Sequence, residues 1–220
     1  MDGSGNLSAT LIGVHDDRRA MDVACRALDL IATTAILLVL APLIALIALI
    51  IKLDSPGPVF FRQHRVGRHQ AQFLVAKFRT MQHGADHEVH RDYMLALIES
   101  GTPAPKLAGD ARVTRFGKLL RRTSLDELPQ LWNVLRGEMS LVGPRPPIPY
   151  EVERYPVHWF ARFAVKPGVT GLWQVSGRSE VSLEQMIELD TEYVRRRSPW
   201  FNAWILLRTV PAVLRARGAG

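Results

Sequence analysis

Apolar and polar positions divide the chain unevenly. From Leu30 to Ile51 there are 22 residues without a charge, bounded by Asp29 and Lys52. As a helix this run would be about 33 Å long, enough to cross the hydrocarbon core of a bilayer. A helix apolar on every face is more often a membrane segment than a core helix. The run lies too far from the start for a signal-peptide core, and no small-residue cleavage site follows it. Pro42 sits in its middle, where a proline bends the axis and frees a carbonyl. Basic residues flank both ends: Arg18, Arg19 and Arg26 before, Lys52, Arg62, Arg65 and Arg68 after. Because the positive-inside rule favours both flanks in the cytoplasm, the pattern predicts a re-entrant hairpin broken at Pro42 rather than a single crossing. Residues 1–20 are polar and glycine-bearing and are expected to be flexible. The predicted organisation is therefore a flexible 1–20, a membrane-embedded 21–54 and a cytoplasmic domain over 55–220.

Beyond Asp54 the periods shorten. The cluster Asp54-Ser-Pro-Gly-Pro58 is a turn that ends the helix. Val59–Phe61 reads as a short strand, Gly67 as a turn, and Gln72–Thr80 as a second strand. Alternation along the second strand puts Lys77 and Arg79 on one side with Phe73 and Val75. Two cations aligned this way suit a phosphate, and they equally suit a solvated strand face. Ser124 with Glu127 three residues later reads as a capping box opening a helix, with Asp126 and Glu127 in its first turn and Pro129 distorting it. Leu141–Pro147 must be extended, since each proline bars helix for the residue before it. Val165–Ser179 has a similar turn-rich character. Ser182 and Gln185 form a second capping box, opening a helix to Arg197 whose apolar stripe includes Asp190. Pro199–Arg217 mixes Trp200, Trp204 and aliphatics with arginines, as in a helix lying in a membrane interface or packed on a core. The predicted fold class is α+β and mostly helical: a membrane hairpin, a small cytoplasmic domain, and interfacial amphipathic helices.

The net charge of +7 points to an anionic partner such as a membrane surface, a nucleotide or a nucleic acid. A single cysteine, Cys25, excludes an internal disulfide and fits a reducing compartment.

Candidate chemistry concentrates between Arg121 and Pro146. Asp126 and Glu127 are adjacent carboxylates with Arg115, Lys118, Arg121 and Arg122 before them and Arg136 and Arg145 after. An acid pair among cations is what an enzyme needs to attack a phosphate while holding its charge. The same residues could simply cap a helix and balance the arginines. Lys166 and Arg178, in glycine-bearing turns, can complete an anion pocket. Asp190, on a buried stripe, needs a cation or metal beside it. His83, His87 and His90 have the spacing of ligands on one helical face, although a hydrated connector explains that polar stretch better than zinc. Gly101–Gly109 reads as a loop over the site.

Five ordered motifs carry a resemblance over about Met21–Leu214: Ser55–Gly67 (SPGPVFFRQHRVG), Lys77–Met81 (KFRTM), Thr114–Pro146, Lys166–Arg178 (KPGVTGLWQVSGR) and Glu188–Val194 (ELDTEYV). The sequence resembles the bacterial sugar transferases of the monotopic phosphoglycosyl transferase group, in their compact catalytic form. It departs at Ala41, where small members often carry serine. The resemblance implies transfer of a sugar-1-phosphate from a nucleotide diphosphate sugar, a UDP-hexose in the ordinary case, to a polyprenyl (undecaprenyl) phosphate. It implies Asp126 as the nucleophile of a ping-pong reaction and Glu127 as the ligand of Mg²⁺ (or Mn²⁺). Lys77, Arg79, Arg122, Arg145, Lys166 and Arg178 become candidates for phosphate and nucleotide contacts, with Asp190 a candidate for the metal or for orienting an arginine. The expected setting is the bacterial inner membrane, with the domain facing the cytoplasm, membrane lipid around the helix, and downstream glycosyltransferases consuming a product bound for exopolysaccharide, capsule, O-antigen or glycoprotein glycan. Two other classes remain. A nucleic-acid-binding module would bind strands in a salt-dependent way, but aromatic–basic stacking motifs are sparse, so no nucleic-acid partner is expected. An inactive scaffold would tolerate loss of the acid pair, which is intact.

Overall fold

The computed structural model describes residues 4–82, 84, 91, 92, 94, 95, 98, 111–177 and 181–214, with side chains from 19 to 213. The first element, α1 (Ser4–Asp54), differs from expectation twice. It is helical from Ser4, where a flexible segment was predicted, and it continues unbroken through Pro42, where a break into two helices was predicted. Proline removes one i→i−4 hydrogen bond and crowds the preceding turn, but the remaining ladder carries the helix past it. Among the described residues, the 36-residue stretch Arg19–Asp54 is the one helix long and apolar enough to cross a membrane.

An antiparallel hairpin follows: β1 (Phe60–Val66) and β2 (Gln72–Phe78), with Phe61 opposite Lys77 and Arg65 opposite Phe73. Directly opposed residues share a face, so Arg65, Gln63, Val75 and Lys77 lie on one side of the ribbon. The chain then forms α2 (Arg115–Thr123), a 3₁₀ turn at Leu125–Glu127 and α3 (Gln130–Arg136). Next come β3 (Ser140–Val142), α4 (Pro149–Val152) and a 3₁₀ stretch over Val157–Ala164. The last elements are β4 (Gly168–Thr170), α5 (Leu172–Ser176), α6 (Leu183–Arg196) and α7 (Pro199–Leu214). β3 and β4 pair in parallel. Their backbones approach so closely that a Cβ on Gly168 would lie 2.0 Å from the Gly143 amide nitrogen, which only glycine permits. The fold is mixed and mostly helical, with one long apolar helix at its N-terminal side.

Both ends of the apolar stretch are fastened to the same body. On the N-terminal side, Arg26 donates to the Val134 and Leu135 carbonyls at 2.5 and 2.8 Å, capping the C-terminus of α3. One turn later Asp29 accepts from Ser140 Oγ and the Leu141 amide at 3.0 and 2.9 Å. On the C-terminal side, Arg79 caps α1 itself, donating to the carbonyls of Ser55 at 2.7 Å, Pro56 at 2.8 Å and Ile51 at 3.3 Å. Ile47 and Ile51 are buried there against Phe78 and Leu120. Between these anchors Ile31, Leu38 and Val39 are more than two-thirds exposed.

Candidate active site

The geometry of the acid pair begins with Asn133. One edge of β2 is paired with β1, and the other would be left with unsatisfied backbone groups. Asn133 fills part of that edge: its Oδ1 accepts from the Ala76 amide at 3.1 Å, and its Nδ2 donates to the Leu74 carbonyl at 2.7 Å. This clips α3 to the strand, and the turn preceding α3 is thereby set beside Lys77. The arrangement was not read from the sequence, where Asn133 looks like an ordinary helix residue.

The acid pair occupies the 3₁₀ turn rather than the first turn of an α-helix. The predicted capping box at Ser124 does not form. Ser124 is left-handed, with φ 58° and ψ 16°, its side chain makes no cap, and its amide closes α2 on the Leu120 and Arg121 carbonyls. A capping serine needs extended backbone, which this tight link between two helices does not allow. Pro129 likewise does not distort a helix; it is the N-cap of α3, where a proline's fixed φ and missing N–H cost nothing. A non-glycine residue in the left-handed region costs roughly 1 kcal/mol. Here it stands immediately before the acid-bearing turn. The other predicted capping box is present, with Ser182 and Gln185 reciprocally bonded at 3.2 and 2.9 Å.

Lys77 Nζ donates to Glu127 Oε1 at 2.6 Å, and both side chains are about three-tenths exposed. The two acids then respond in opposite directions. Burial pushes the Asp126 carboxyl up to about 6, with the neighbouring Glu127 adding to the rise and Lys77 and Arg121 opposing it. Burial also acts to raise Glu127, but Lys77, backed by Arg145 and Arg65, overcomes it and holds that carboxyl below its ordinary value. Glu127 is therefore a fixed negative charge. Asp126 is the member whose ionised form is destabilised, and hence the more basic carboxylate of the two.

The predicted site residues divide. Lys77, Asp126 and Glu127 come together, with the charge of Arg145 acting on Glu127. Arg79 does not join them: β2 ends at Phe78, the alternation lapses, and its guanidinium is spent on the end of α1. Arg122 is exposed on α2. Lys166 reaches Gly137, where its Nζ and the Arg26 guanidinium would both lie 3.5 Å from an added Cβ. It therefore sits at the C-terminal end of α3, while the acids precede the N-terminal end. Burial, with Arg26 reinforcing it, pulls the Lys166 ammonium down. Asp190 is buried in a 2.6 Å ion pair with Arg162, which fulfils the expectation of a nearby cation and makes it a structural partner of an arginine. Arg178 and the three histidines lie outside the described residues.

Two residues besides Asn133 were missed. Arg65 is buried within reach of Glu127's field, its own guanidinium pulled down to about 10 by burial and by Arg145. Its place on the Lys77 face of the hairpin was available from strand register, had β1 been read past Phe61. Arg162 is fully buried. The string His158-Trp-Phe-Ala-Arg162 gives no sign of that, because arginine in an aromatic run ordinarily lies at an interface.

The family model described as bacterial sugar transferase matches residues 20–216. The chain belongs to that family. Transferases and related proteins similar to it include the exopolysaccharide production protein ExoY of Rhizobium meliloti, 40% identical over 90% of this chain and 88% of its own length. The UDP-glucose:undecaprenyl-phosphate glucose-1-phosphate transferase of Caulobacter vibrioides is 42% identical over 90% of this chain and 72% of its length. The UDP-galactose-lipid carrier transferase of Erwinia amylovora is 44% identical over 88% of this chain, which spans only 41% of that longer protein.

Proposed function

We propose that this transferase moves a sugar-1-phosphate from a UDP-hexose to polyprenyl phosphate at a membrane surface. The observation carrying the proposal is the split pair, with Asp126 raised and Glu127 lowered beside Lys77. An Asp126 oxygen attacks the sugar-side phosphorus of the donor. The bond from that phosphorus to the bridging oxygen breaks, and the nucleoside monophosphate leaves with the electron pair. Polyprenyl phosphate then attacks the phosphorus of the aspartyl phosphosugar and expels the carboxylate, giving polyprenyl diphosphate sugar. Lys77, Arg65, Arg121 and Arg145 stabilise charge spread over the phosphoryl oxygens.

No group of three or more metal-ligating side chains occurs among the described residues. Mg²⁺ or Mn²⁺ is commonly held by one or two carboxylates with substrate phosphates supplying the other oxygens, and Glu127 is the residue that would hold it. When bound, such an ion neutralises the donor diphosphate. Glu127 would keep Lys77 on Oε1 and offer its second oxygen.

The membrane reading rests on α1. A straight Arg26–Ile51 helix measures about 37 Å, so a perpendicular crossing would carry one anchor to the far side of a bilayer about 30 Å thick. Both anchors grip one body, which favours a helix that bends at Pro42 without losing its helical continuity, dipping into one leaflet and returning at the inner membrane, domain to the cytoplasm. Trp200 and Leu207 of α7, 86% and 75% exposed, suit an interfacial helix that meets the acceptor's headgroup depth. The product would then pass to glycosyltransferases assembling an exopolysaccharide. Single cysteines at Arg19 and Asp54, in a Cys25→Ala background, should both be labelled by an impermeant thiol reagent only after the cytoplasmic side is opened. Labelling of one from outside rejects the re-entrant path.

The activity is tested with UDP-glucose, UDP-galactose and other nucleotide sugars in the presence of polyprenyl phosphate and Mg²⁺. UMP release beyond one equivalent per enzyme is expected only when the lipid phosphate is present. No release with any donor removes the proposal.

A further inference from the structure

The segment Pro144-Arg145-Pro146-Pro147 has three prolines and so three residues without an amide donor. Its carbonyls are the means of holding it, and all four are taken. Pro144 O accepts from the Gly168 amide at 2.9 Å, and Pro147 O from the Val66 amide at 2.9 Å. Between them, Arg145 O accepts from Arg162 Nη2 at 2.8 Å, and Pro146 O from Arg65 Nη1 at 3.0 Å. Two buried guanidiniums thus grip consecutive carbonyls around a single basic side chain.

Arg162 is itself held on two further sides. Asp190 Oδ2 accepts from Nη2 at 2.6 Å, and Tyr155 Oη accepts from Nη1 at 3.3 Å while donating to Glu151 Oε2 at 3.3 Å. Glu151, Arg162 and Asp190 are 1–2% exposed, and among the described residues Glu151 Oε1 and Asp190 Oδ1 find no hydrogen-bond partner. Burying this much charge with oxygens unpaired is poor economy for stability, since apolar replacements of such clusters are often neutral or better. The arrangement is better explained by what it holds. The charge of Arg145 bears on Glu127 on one side and on Asp190 on the other.

We propose that Arg162, oriented by Asp190 and Tyr155, is a positioning residue that fixes the Arg145 backbone so that its guanidinium faces the acid pair and the donor diphosphate. This rests on the transfer reaction proposed above. Arginine suits the task because its planar fork serves a carbonyl, a carboxylate and a phenol at once, whereas an ammonium cannot reach all three in fixed geometry.

The test is a double-mutant cycle on the full chain in membranes, reading kcat and KM for the nucleotide sugar. Arg162→Lys alone is expected to lower kcat/KM about 10- to 30-fold. In an Arg145→Ala background the same change should cost less than about twofold, because the side chain it positions is gone. Equal losses in both backgrounds would mean a general structural role and would overturn the inference. Should Arg162→Lys fail to fold by thermal unfolding, Tyr155→Phe, which removes one hydroxyl, takes its place. A loss of about threefold confined to the Arg145-containing background supports positioning, and an equal loss in both rejects it. Absence of transfer by the wild-type chain would count instead against the reaction itself.

Discussion

Asp126→Asn should abolish the proposed transfer, lowering UMP release by at least about 10³-fold and leaving no covalent phosphosugar on the protein. An amide oxygen in the same place is a far poorer nucleophile towards phosphorus. The change is isosteric, so loss of activity should not be accompanied by loss of fold. Stability should move the other way. A carboxylate whose folded pKa is raised, here to about 6 by burial, destabilises the folded state when ionised. That cost is fully present above pH 6 and disappears as pH falls below the unfolded value. At pH 7 the asparagine variant escapes it, with a gain on the order of 1 kcal/mol after allowance for solvent screening. Thermal unfolding at pH 7 and again at pH 4 separates the two effects, because most of the gain should be lost at the lower pH, close to the unfolded value. Turnover within tenfold of wild type would show that Asp126 is not the nucleophile, and a lower melting temperature at pH 7 would show that its burial is not the strained feature described here.

How much of this was legible beforehand depended on whether a local rule met its backbone conditions. The apolar run, the strand pair and the helix opened by Ser182 were readable because period and cap agreed with each other and nothing tertiary opposed them. The same capping pattern at Ser124 failed because the rule presumes extended backbone at the serine, and a link of one residue between α2 and the acid-bearing turn forces φ to 58°. The Lys77 and Arg79 pair was half right: alternation holds inside a strand and lapses one residue past its end. The acids themselves stood out by adjacency and charge. What set their chemistry did not. Asn133 closing the edge of β2, Arg65 on the inner hairpin face and Arg162 under the proline segment act across separations of 57, 81 and 17 residues. A single sequence carries no local mark of such contacts. The anchoring of both ends of α1 was hidden for the same reason, since Arg26 reads as a flanking charge and Arg79 as a phosphate contact until their carbonyl partners are seen.

Lys77→Met is the variant in which the electrostatics of the site become directly visible. If Asp126 is the nucleophile, as proposed, it must be ionised to attack, so transfer by the wild type should fall below pH about 6, tenfold per unit, rather than near the ordinary aspartate value. Lys77 is the foremost cation opposing burial at both acids. Removing it leaves Glu127, whose Oε1 it contacts at 2.6 Å, without its ion-pair partner in a partly buried site. Both carboxyls then rise, and the acid limb of the pH–rate profile moves to higher pH with them. At pH 7 the variant should lose about 10²- to 10³-fold, combining a protonated nucleophile with the loss of a cation from the phosphoryl group. Raising the pH towards 9 should recover the protonation part of that loss, leaving a pH-independent deficit due to the missing positive charge. Arginine at this position restores charge but not the compact ammonium geometry, so Lys77→Arg should return the acid limb towards 6 while remaining impaired in kcat. A Lys77→Met profile whose limb stays at the wild-type pH would mean that the lysine does not set the protonation of the pair, and the division of labour between Asp126 and Glu127 would have to come from elsewhere.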